Sequence, residues 1–137
     1  MGLYLCVFDG DTEIDGVEVG SYADFNMFRD AVTASLEGGQ AGSKAPILIG
    51  HSDCDGSWSS EEAAGLIVEL GLIEKGLMQA PPIEFNSPWK TDVAKTFGIS
   101  PRNLLECFFD VDGEPLVVRL IGLARFSVSH DEPILFQ

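Results

Sequence analysis

Two apolar runs in this chain end in acidic residues. Leu3 to Phe8 runs into Asp9-Gly10-Asp11-Thr12, and Ile47-Leu48-Ile49-Gly50 runs into His51-Ser52-Asp53-Cys54-Asp55-Gly56-Ser57-Trp58. In α/β folds the ends of strands hold charged groups rigidly and present them to a ligand. Carboxylates so placed suit three kinds of chemistry: nucleophilic attack on phosphorus, coordination of a hard cation, and pairing with a basic partner. The neighbouring residues decide among them.

For phosphoryl transfer, an aspartate ending the first strand with an acid two residues on resembles the nucleophile motif of haloacid-dehalogenase-type phosphatases, where magnesium neutralises the charge. The hydroxyl residue comes one position early, at Thr12, and Glu13 stands in its place. No downstream lysine with paired aspartates completes the motif, so an acidic turn is the better account. A metal-dependent hydrolase using Asp9, Asp11, Asp53 and Asp55 stays as the alternative reading. For calcium, Asp53, Asp55, Gly56 and Glu62 fall at EF-hand positions 3, 5, 6 and 12. Position 1 would be His51, a poor calcium ligand, and a strand precedes where a helix belongs. A Cys54 thiolate with His51 as base is disfavoured by Asp53 and Asp55, which raise the thiol's pKa. Two histidines and three scattered cysteines make no zinc signature, and His130 sits where it can meet helix-terminal carbonyls. No metal and no cofactor is expected.

The remaining reading is a protein-binding face. Asp53, Asp55 and Trp58, together with Asp11, Glu13, Asp15 and Glu18 of the acid-rich Asp9–Glu18 loop, offer an anionic surface with an aromatic anchor. The competing account of Trp58 is that it packs against the following helix. Trp89, on an apolar helical stripe, reads as core.

Bulk properties agree with a binding protein. The chain has 137 residues, 45% of them hydrophobic, which suits a single domain over 1–137 with a real core. With 22 acids against 8 bases the formal net charge is −14. Such a field repels nucleic acid and anionic membranes and speeds encounter with a basic partner. No apolar run approaches the roughly 20 residues of a membrane helix. Met1 to Phe8 lacks a basic n-region and reads as an interior strand, not a signal peptide. Three cysteines at distant spacings, Cys6, Cys54 and Cys107, imply reduced thiols and a cytoplasmic setting.

The elements that must carry these residues follow from periodicity. Leu3–Phe8 reads as a strand, Asp9–Gly20 as an acidic connection, and Ser21 with Asp24 as a capping box for a helix through Phe25, Phe28, Val32 and Leu36. Ile47–Ile49 reads as a second strand. Ser59 with Glu62 caps a helix with Ala63, Leu66, Ile67, Leu70 and Ile73 inward, weakened at Gly65 and Gly71. Ile83–Phe85 is an edge strand or extended link. Ser87-Pro88 starts a helix with Trp89, Val93 and Phe97 aligned and Gly98 at its end. Leu104–Val111 fits strand or short helix equally well. Asp112-Gly113-Glu114-Pro115 turns into a last helix with Leu116, Leu120, Leu123 or Ala124, and Val128 inward, and Pro133–Gln137 forms a terminal strand. The expected fold is a single small α/β or α+β domain, with a mixed sheet of about four to five strands packed against about four helices.

Several separate blocks together resemble the Immunity protein 70 family of bacterial polymorphic toxin systems. They are Met1–Phe8, Gly16–Phe25, His51–Trp58, Pro81–Ser87, Leu105–Phe108, Asp110–Leu116 and Pro133–Gln137, spread over essentially the whole chain. The resemblance implies a cytoplasmic antidote without catalysis of its own, which binds and blocks a cognate toxin; the acidic surface would attract a basic toxin domain such as a nuclease. It carries no catalytic residues to transfer, and leaves open whether the His51–Trp58 and Asp110–Pro115 blocks touch the toxin or hold the fold.

Overall fold

The computed structural model describes residues 2–85 and 87–137; Met1 and Asn86, which fall inside two of the blocks above, lie outside it. Strands β1 (Gly2–Asp9), β2 (Thr12–Ser21), β3 (Ser57–Trp58) and β4 (Ile134–Phe136) form one sheet in the order β2-β1-β4-β3. Helices α1 (Tyr22–Ser35), α2 (Pro46–Ile49), α3 (Ser60–Met78), α4 (Pro88–Phe97) and α5 (Leu116–His130) complete an α+β domain, with one 3-10 turn at Leu105–Cys107. Every pairing is antiparallel, so the sheet is not mixed. Leu3, Leu5 and Val7 of β1 point to the core shared with Phe25, Phe28, Leu66, Leu70, Leu120 and Leu123 of the helices. No helix among the described residues is long and apolar enough to cross a membrane.

The expected acidic connection is a strand. Gly10, at φ 64, and Asp11 turn the chain, Asp9 pairs with Thr12, and β2 runs back along all of β1. The register slips at two places, leaving Ile14 and Val19 unopposed, and both pack against the core. The expected strand Ile47–Ile49 is instead the short helix α2, held by charge at both ends. Glu69 accepts from the Ile47 and Leu48 amides at 3.0 Å each, and the Arg29 guanidinium donates to the Leu48, Ile49 and His51 carbonyls. An anion at the N-terminus and a cation at the C-terminus match the helix dipole. Burial pushes the Glu69 carboxyl up despite these two amides. Gly65 and Gly76 on α3 prove to be close-approach sites, for Ile47 and Leu36, whereas Gly71 faces open space.

Ile83–Phe85 is an extended link that joins no strand among the described residues. In Leu104–Val111, helix and bridge share the segment: the 3-10 turn is followed by an isolated bridge from Phe109 to Pro115. On α5, Ser127 is buried in place of Val128, which is exposed.

The face of α4 differs from its apolar stripe. Lys90 and Ala94 are buried, Trp89 and Val93 half-buried, and Phe97 is 59% exposed. The rotation follows from Trp89, whose indole N–H donates to Asp24 at 2.8 Å. It carries the Lys90 ammonium inward, 4.9 Å from the Phe108 ring centroid and 5.8 Å from those of Trp89 and Phe109. Its hydrogen bond goes to the Cys107 carbonyl at 3.5 Å. Burial pulls the lysine pKa below its usual value, partly opposed by Asp24. A base whose folded pKa is depressed binds fewer protons when folded, so it costs stability at neutral pH and less as pH rises toward 10.5. Lys90→Met is therefore expected to stabilise by about 1–2 kcal/mol at pH 7, cation–π loss offsetting part of the gain. Urea titrations of both proteins should show the difference shrinking between neutral pH and 10. A destabilised variant would mean that the aromatic cage outweighs desolvation.

Candidate functional site

The acids singled out by sequence fall into two groups. β3 runs in the same direction as β1, with Ser57 level with Cys6 through Leu135, so the loop before β3 lies toward the start of β1. The Gly10-Asp11 turn stands at the other end of β1, and β2 and β3 are opposite edges of the sheet. The Asp11 turn and the Asp53–Asp55 loop are thus on the order of 15 Å or more apart. Among the described residues no three His, Cys, Asp or Glu side chains are placed to hold a metal ion. Asp9, Asp11, Asp53 and Asp55 are therefore not gathered as the hydrolase reading requires, and neither is the calcium set.

In the first group, Asp11 and Glu18 are exposed and Glu13 accepts the Tyr4 hydroxyl at 2.7 Å. Partial burial and then the Glu13 hydrogen bond push the Tyr4 phenol up to about 12. Asp15 behaves differently. Arg119 of α5 donates to both its carboxylate oxygens, at 3.1 and 3.3 Å, and to the Gly16 carbonyl at 2.6 Å, with Asp110 3.6 Å from the same guanidinium. Asp15 is thus half of an internal ion pair joining sheet to helix. Buried Asp110 also accepts from the Asp112 and Glu114 amides, so the Asp110–Pro115 block closes a turn.

The second group is built on a relay. Arg29, which grips the end of α2, donates to Asn26 Oδ1 at 2.6 Å, and Asn26 Nδ2 donates to Asp53 Oδ2 at 2.6 Å. The Asn26 hydrogen bond holds the Asp53 carboxyl below the usual carboxylate range. Asp55 is exposed beside it. His51 lies 4.1 Å from the Phe136 ring centroid, nearly parallel, and its two ring nitrogens meet the Ser52 and Ser57 carbonyls at 2.8 and 3.0 Å. Those contacts occupy both imidazole nitrogens, and the Cys54 thiol is exposed near the Ser52 hydroxyl.

Trp58 is 0% exposed, which corrects the reading of it as a surface anchor. Its ring packs edge-on to Phe136 at 4.7 Å and its indole N–H donates to the Ile47 carbonyl at 3.1 Å. A side chain with no exposed area presents none to a partner; Trp58 is the floor under the loop. Sequence reasoning missed the supports Asn26, Arg29 and Glu69, because a polar helix residue's partner 20 or so positions away leaves no local signal.

No curated protein and no solved structure matches the chain. The family model for Immunity protein 70 matches residues 3–136, essentially the whole length, and the chain belongs to that family.

Proposed function

We propose that this protein is a cytoplasmic antidote: it binds a cognate toxin domain of a polymorphic toxin system and blocks it without chemistry of its own. Family membership over residues 3–136 is the observation that carries this reading. The net charge of −14 supports a basic toxin domain, such as a nuclease that must itself hold phosphates. The contact face assigned to it is the Asp53–Asp55 loop, with Asp11, Glu13 and Glu18 as the second acidic group. The loop suits the task because Asp53 is already positioned by Asn26 and Arg29, so little side-chain freedom is lost on binding. Asp15 and Trp58 serve the scaffold behind these faces.

Co-expression with the toxin-like domain encoded beside the gene tests the reading through growth rescue and co-purification. Asp53→Lys combined with Asp55→Lys is expected to leave the melting temperature within a few degrees of wild type and to weaken toxin binding about 100-fold or more. Reversal of Asp11, Glu13 and Glu18 in a separate variant reports on the other face. Unchanged affinity in both variants would remove the acidic surface from the interface. Failure of the wild type to rescue growth or co-purify with a proven toxic neighbour would remove the pairing itself.

A further inference from the structure

The exposed faces of α3 and α5 differ from the rest of this acidic molecule. Along the outside of α3 run Glu61, Ala64, Val68, Leu72 and Lys75, with Val68 66% and Leu72 48% exposed. The stripe is symmetric about Val68: Ala64 and Leu72 stand four residues to either side, Glu61 and Lys75 seven. Its ends carry opposite charges, about 21 Å apart at the helical rise. The other acids of α3 are committed elsewhere. Glu62 caps the helix through Ser59, Glu69 is buried against α2, and half-buried Glu74 lies off the stripe.

The neighbouring helix repeats the pattern. α5 lies antiparallel to α3, since Ser60 at the start of one bonds to Asp131 at the end of the other. Eight residues up α3 from Ser60 stands Val68; nine back along α5 from Asp131 stands Gly122. Exposed Val118 and Phe126 lie four residues to either side of Gly122, and α5 contains no acid at all. A groove of ≈ 350 Å³ opens beside Gly122, lined by that residue, Arg125, Phe126 and Ser129.

We infer that this face binds a second copy of the chain in a two-fold dimer, with α3 antiparallel to α3 and α5 facing α5 across the axis. Two-fold symmetry brings a residue n positions before the centre against one n positions after it in the partner. Glu61 of each copy then meets Lys75 of the other, the apolar stripes cover each other, and Phe126 approaches the partner's Val118 beside the Gly122 groove. Charge selects this occupant over a basic toxin. Among the described residues, no exposed acid lies on the stripe between Glu61 and Lys75, and the cations offered are Lys75 and Arg125. Two chains of charge −14 repel through their acidic faces, and this one lets them approach. The inference does not depend on the toxin reading.

Sedimentation velocity on the full chain at about 0.1 mM, where a dimer of micromolar Kd is mostly assembled, is the test. Wild type is expected to sediment as a dimer and Val68→Glu as a monomer with unchanged circular dichroism. Lys75→Glu alone sets acid against acid and is expected to weaken association at least tenfold. Adding Glu61→Lys reverses both ends of the stripe and is expected to restore the dimer. A monomeric wild type, a dimer indifferent to Val68→Glu, or a double variant no better than Lys75→Glu would each overturn the inference. So would a monomer whose toxin complex alone is lost in Val68→Glu, since the face would then be the toxin's.

Discussion

Trp58→Ala is expected to lower the free energy of unfolding by about 3–5 kcal/mol, the range for emptying a large aromatic site in a packed core. The side chain has no exposed surface, packs on Phe136 and His51, and ties the chain to the Ile47 carbonyl. Its removal opens a cavity where β3, β4 and α2 meet and leaves that carbonyl without its donor. Urea unfolding should show the midpoint falling with little change in slope, and Trp58→Phe should recover much of the loss. An unchanged midpoint with selectively lost toxin binding would reinstate the surface-anchor reading.

Asp24→Ala is expected to cost about 2–4 kcal/mol, from a lost cap together with partly buried donors left unpaired. The carboxylate accepts from the Ser21 amide at 2.9 Å, the Ser21 hydroxyl at 2.7 Å, the Ser87 hydroxyl at 2.9 Å and the Trp89 indole at 2.8 Å. One residue thus caps α1 and pins the start of α4 to it. Burial pushes this carboxyl up, but the four hydrogen bonds outweigh it and the net shift is downward. An acid with a depressed folded pKa stabilises fully above its unfolded value, here 3.8, and the contribution disappears as pH falls through the folded pKa. The gap between wild type and Asp24→Ala should therefore be constant from pH 7 to about 5 and narrow below about 4 in thermal melts. A gap independent of pH would assign the loss to packing and not to the ionised carboxylate.

What could be read from the chain was what local chemistry specifies. Ser21 with Asp24 and Ser59 with Glu62 both form the expected reciprocal caps, because each box closes within one helical turn. β1 and β4 lie where their apolar runs place them. The β2 strand was legible too, but in a signal outweighed by charge: a Gly10-Asp11 corner after an apolar run, then Ile14, Val17 and Val19 among polar neighbours. Five acids read as a solvated connection, whereas only three of them stand on the edge strand, where Glu13 and Glu18 are exposed and Asp15 turns to Arg119.

α2 could not be read in this way. Ile47–Ile49 is too short to show a period, and its helical form rests on Glu69 and Arg29, which bond to it from two other helices. The same reason governs Lys90, whose burial follows from the Trp89–Asp24 bond, and Asp15, whose partner Arg119 is 104 residues away. By itself the sequence determined the family, the acidity, the helix caps and the principal apolar runs, since these depend on residue types and short spacings. Only the tertiary structure decided which acids are free and which are paired, that Trp58 is floor and not anchor, and that the acid loops stand at opposite corners of the sheet. Those properties depend on which distant side chains meet, and that is fixed by packing over the whole chain.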